Sequence, residues 1–84
     1  MLFNVNVVTQ SASGQIYRVE FLSSGKDWFT AQQTVMDKAF SVKADIYGRV
    51  IGVSTILHSG EMSVDGEYTY LGITRVNKRM AVAA

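Results

Sequence analysis

The chain has no cysteine and no proline, and only one histidine and one tryptophan among its 84 residues. Without cysteine it forms neither a disulfide nor a thiolate metal site. Small secreted domains usually depend on such cross-links, so a reducing, cytoplasmic setting is expected. Without proline there is no rigid polyproline spacer and no slow prolyl isomerisation. An excess of one charge sign is also missing: eight Lys and Arg stand against seven Asp and Glu, a formal net charge of +1. That balance predicts no strong global attraction to nucleic acid or anionic lipid. No run of about 18 apolar residues could span a membrane, and no membrane partner is expected. The start, Met1-Leu2-Phe3-Asn4-Val5-Asn6, alternates, which is unlike the basic start and apolar block of a signal peptide.

What is present is a folded chain's composition, 48% hydrophobic and 18% charged, in a length that leaves room for one core. A single α+β domain is expected over 1–80, with 81–84 as a frayed tail. Phe3, Val5 and Val7 alternate with Asn4 and Asn6, the period-two pattern of a half-buried strand. After the polar, glycine-containing stretch 10–15, Tyr17, Val19 and Phe21 alternate with Arg18 and Glu20, so the two segments read as an antiparallel hairpin.

Helical spacing then takes over. Trp28, Ala31, Val35 and Ala39 share a face, with Met36 and Phe40 beside them. Its start is open between Ser24, Asp27 and a Thr30/Gln33 capping box. Residues 46–57 are rich in β-branched side chains but interrupted by Gly48 and Gly52, which suggests a bulge. Asp65-Gly66 is a hairpin signal, and 67–76 reads as the last strand. The expected architecture is a two-layer α+β fold in the order β-β-α-β-(β)-β, with one helix on a mostly antiparallel sheet of four to five strands.

One helix about 10–12 Å across cannot cover a four-stranded sheet about 19 Å wide. Phe3, Val5, Val7, Val19, Phe21, Leu71 and Ile73 are expected under the helix with Trp28. Arg18, Glu20, Leu22, Tyr68 and Tyr70 are expected on the bare face. Tyrosine and arginine dominate interface energetics, so Arg18, Tyr68 and Tyr70 are the candidate partner-binding residues, in a protein expected to form a homo-oligomer, with a dimer favoured.

Catalytic and cofactor chemistry find little footing. His58 has only Glu61 within reach as a co-ligand, far short of a zinc set. Ser59 beside His58 does not make a nucleophile–base pair, since strand neighbours point to opposite faces. Gly25-Lys26 lacks the upstream glycine and following Ser or Thr of a phosphate loop. No enzyme activity, metal or cofactor is expected. Arg75, Lys78 and Arg79, with the tyrosines as stacking platforms, support an alternative as a single-stranded nucleic-acid binder. A structural or assembly subunit is a further alternative.

In size, element order and absence of catalytic residues, the chain resembles small accessory proteins of bacteriophages and mobile elements, including compact inhibitors of host systems. The resemblance implies a non-enzymatic, protein-binding role and transfers no residue.

Overall fold

The computed structural model describes residues 1–40, 48–60 and 66–76. Strand β1 (Leu2–Gln10) turns through residues 11–15 into β2 (Ile16–Ser24), and their antiparallel register runs unbroken from Leu2 opposite Ser24 to Gln10 opposite Ile16. The turn is closed by the Ser11 amide on the Gln15 carbonyl and the Gly14 amide on the Ser11 carbonyl, both at 2.9 Å.

Helix α1 (Trp28–Val35) follows, and Met36–Phe40 continues it as a wider π-helical turn. Of the three candidate starts, the structure uses Asp27, whose carboxylate accepts the Thr30 amide at 2.8 Å. Hydrogen bonding to Thr30, first from its backbone and then from its side chain, holds this carboxyl below its ordinary value of 3.8. A lowered folded pKa stabilises the native state above the unfolded value and loses that contribution as pH falls through the folded one. Asp27→Asn keeps the acceptor without the titration. In thermal unfolding from about pH 6 to about pH 2 it should therefore show less acid destabilisation than the parent. An identical acid profile would remove Asp27 from the capping role.

β3 (Arg49–Leu57) pairs antiparallel with β1, and β4 (Tyr68–Arg75) pairs antiparallel with β2, giving a four-stranded sheet in the order β3-β1-β2-β4. The expected fold is thus realised as one helix on one open antiparallel sheet. Within this sheet β3 and β4 lie at opposite edges and do not pair with each other. Each edge of the first hairpin offers unpaired backbone, and each takes up one later strand. Gly66 of the expected Asp65-Gly66 turn has φ +91, whereas Asp65 and the optional strand fall on 61–65, outside the described residues, as do the basic stretch 77–80 and the tail 81–84.

The core lies between the helix and the central strands. Val5, Val7, Val19, Phe21, Val35, Ala39 and Phe40 form one buried cluster, with Met36, Val50, Val53 and Tyr68 packed against it. Alternation puts the β1 and β2 members on one face, and helical spacing puts Val35 and Ala39 above them. Because the last turn is wider, Phe40 as well as Ala39 reaches this cluster, its ring edge-on to Phe21 at 5.7 Å.

Both edge strands carry a bulge. The register shifts between Val8 and Thr9 opposite β3, leaving Ile51 extra, and between Glu20 and Phe21 opposite β4, leaving Leu71 extra. The residue after Leu71, Gly72, has φ +148 and open space around it, the left-handed backbone that glycine supplies at such a break.

Candidate interaction surfaces at the two sheet margins

α1 packs over β3, β1 and β2 and leaves β4 beyond its cover. Two exposed apolar areas result, one at each margin of the sheet.

The first is built from the start of the helix. Trp28 and Phe29 are 55% and 57% exposed, and their rings meet edge to face at 5.8 Å. The expectation that Trp28 is buried is corrected here. Its helical face is the right one, but it sits on the first turn, about one turn before the fully buried Ala31 and two before Val35. Gln32 accepts a hydrogen bond from the Thr55 hydroxyl of β3 at 2.9 Å. Trp28 and Phe29 lie four and three residues before Gln32, so they share that β3-facing flank. Two residues beyond Thr55, on the same strand face, is Leu57, 57% exposed. Leu57 stands opposite Phe3, and the Gly25 amide donates to the Met1 carbonyl at 3.0 Å. The ends of β3, β1 and β2 and the start of the helix therefore gather at one corner, with three large apolar side chains in water.

The second area belongs to β4. Tyr70 stands directly opposite Phe21, Tyr68 opposite Ser23 and Ile73 opposite Val19. Directly opposite residues share a face, so both tyrosines lie on the helix side. Their rings meet Phe21 at 5.8 Å for Tyr68 and 5.7 Å for Tyr70. This corrects the expected assignment of Tyr68 and Tyr70 to the bare face. The extra residue at Leu71 reverses the phase, so that Tyr70 and Ile73, three apart, point the same way. Tyr68 is partly buried against the core, whereas Tyr70 and Ile73 remain 48% and 46% exposed.

Arg18 lies on the other face, opposite Val8 and Thr74, with its Nε 3.4 Å from a Glu20 carboxylate oxygen. Arg18, Tyr68 and Tyr70 are therefore not one surface. Leu22, on the same face as Arg18, is fully buried all the same. Arg75 ends β4 opposite Tyr17, whereas Lys78 and Arg79 lie outside the described residues.

His58 is better held than an exposed loop residue. Its amide donates to the Leu2 carbonyl at 2.9 Å, and its Nδ1 lies 2.7 Å from the Asn4 side-chain oxygen. Glu67 pairs with Lys38 at 3.2 Å. Glu61 and Asp65 are outside the described residues, among which no three His, Cys, Asp or Glu side chains gather as a metal site. Gly25 follows β2 where a Cβ would come within 2.8 Å of the Ala31 amide, a close approach that accounts for this glycine by packing alone.

No helix among the described residues is long and apolar enough to cross a membrane. Comparison with family models, with curated proteins and with solved structures finds no match to this chain. The sequence signal for the Trp28–Phe29 surface was the adjacency of two large aromatics, of which one helical face can bury only one. The signal for the β4 reversal was Gly72 inside an otherwise regular strand.

Proposed function

We propose that this is a small, non-enzymatic, cytoplasmic binding protein that acts by docking on another protein and occluding part of its surface. The observation that carries the proposal is the corner formed by Trp28, Phe29 and Leu57, all more than half exposed. Exposed tryptophan and phenylalanine side by side are unfavourable in water and are characteristic anchors of protein interfaces. The flanking polar residues Lys26, Asp27 and Gln33 supply the kind of rim that surrounds such a centre. Inhibition of a host system by a phage or mobile-element protein is one setting that this mode of action fits.

The test is affinity capture with immobilised wild-type protein beside a Trp28→Ala/Phe29→Ala variant, at about 50 and about 200 mM salt. Both side chains are largely exposed, so the variant should stay folded. Anchor residues typically cost about 2 kcal/mol or more each on truncation, so a stoichiometric protein held by the wild type at both salts should be lost from the variant. Recovery of nucleic acid that falls away over that salt range would replace this reading with the nucleic-acid one. A protein retained equally by the variant would overturn the corner as the docking surface.

A further inference from the structure

No strand among the described residues pairs with the outer edge of β4, and that edge is built to pair with itself. The Ser24 amide donates to the Glu67 carbonyl at 3.2 Å and the Val76 amide to the Ile16 carbonyl at 2.9 Å. Backbone groups alternate between the two sides of an antiparallel strand. Working inward from those two bonds, Thr69, Gly72 and Thr74 turn their N–H and C=O groups toward β2. Tyr68, Tyr70, Ile73 and Arg75 turn theirs outward, away from β2. The outward residues are thus spaced two, three and two apart, with the bulge supplying the three. That spacing reads the same from either end.

A strand without a bulge cannot match the step of three. A second β4 running antiparallel matches it throughout, with Tyr70 opposite Ile73 and Tyr68 opposite Arg75 on both sides of a two-fold axis between Leu71 and Gly72. The other edge lacks this property. The His58 amide bonds to the Leu2 carbonyl, so the outward residues of β3 are Leu57, Thr55, Val53 and Val50. Their spacing, two, two and three, does not match its own reverse.

The charge pattern agrees. Exposed Glu67, which also pairs with Lys38, precedes β4 and exposed Arg75 closes it, with no charged residue from Tyr68 to Thr74. Antiparallel self-pairing sets the acidic start of each strand against the basic end of the other. It also brings the half-exposed Tyr70 and Ile73 of each copy onto those of its neighbour, at the margin of the helix-bearing face that α1 does not cover. We propose that two copies of this chain associate through β4, in the register Tyr70 opposite Ile73, to form one continuous eight-stranded antiparallel sheet. This interface lies at the margin opposite the Trp28–Phe29 corner, so its success or failure is separate from that of the partner reading.

The test has three parts. Light scattering behind size exclusion should give a discrete mass of twice 9.3 kDa. A monomer overturns the proposal. So does a mass that keeps rising with concentration, the mark of β4 adding to β3 of the next copy in an open array. Register is read by disulfide trapping, since the chain has no cysteine of its own. Tyr70→Cys and Ile73→Cys are made separately and oxidised alone and as a mixture.

Opposed residues of a hydrogen-bonded pair have Cα atoms about 5.5 Å apart, within disulfide reach. Because of the bulge, like residues on the two copies are offset by about two strand steps, about 7 Å, which puts their Cα atoms about 9 Å apart and out of reach. Only the mixture should give a covalent dimer. Trapping of either variant alone, or of none, overturns the register. Ile73→Lys, which sets a charge in the apolar centre of the interface, should raise the dimer dissociation constant about tenfold or more with an unchanged circular dichroism spectrum. An unchanged dissociation constant would count against the proposal, and the trapping result stands even if this variant folds poorly.

Discussion

Phe21→Ala is expected to cost about 3–5 kcal/mol, the range for deleting a fully buried phenylalanine. Phe21 is 1% exposed, and its ring meets three others edge-on: Phe40 from the helix layer and Tyr68 and Tyr70 from β4. Each such pair adds about 0.5–1.5 kcal/mol beyond area burial. Alanine would leave a void beneath three aromatic rings that the surrounding side chains refill only in part. Domains are stable by about 0.05–0.15 kcal/mol per residue, so this one substitution removes a large share of the total for 84 residues. Urea unfolding should show a much lower midpoint with the slope little changed. A loss below about 1 kcal/mol would mean that the aromatic cluster contributes far less than its geometry indicates.

Val35→Asp should be at least as damaging, and its damage should depend on pH. Val35 is fully buried between helix and sheet. An 8-residue helix with a 5-residue π turn is too short to persist without that packing. A carboxylate there has no basic partner within the core cluster, so burial raises its pKa above the unfolded value of about 3.9. A raised folded pKa means that the native state holds the proton more tightly. The variant is then least destabilised below about pH 4 and loses stability as pH rises toward 7. Val35→Ala supplies the reference, since it removes the same packing without a charge. Unfolding of both at about pH 4 and about pH 7 isolates the charge contribution, and a pH-independent difference between them would mean that the aspartate reaches water.

Much of the fold was legible because its signals are local. Alternation at Phe3, Val5 and Val7 and again at Val19 and Phe21 is fixed by the strand period, and the spacing of Ala31, Val35 and Ala39 by the helical one. Strand partners are not local. Nothing in β3 or β4 distinguishes pairing with each other from pairing with the two edges of the first hairpin, and the two choices bury similar side chains.

The misplacement of Tyr68 and Tyr70 has a single physical cause. An extra residue at Leu71 shifts the phase by one, and in a two-residue period a shift of one is a reversal. Trp28 shows a different limit: periodicity gives the direction of a side chain around the helix axis, but not whether sheet lies beneath it at that height. The site residues inherited both errors. Arg18 and the tyrosines seemed to share a face only because the phase of β4 was carried across the bulge.

Every buried apolar side chain among the described residues, from Phe3 to Phe40, comes from the first half of the chain. During synthesis the hairpin and helix leave the ribosome first, and with them the whole of the central cluster. β3 and β4 then add to a core that already has its members, one on each side. β4, the last of the described strands to emerge, thus presents its outer edge only after the core it rests on has been made.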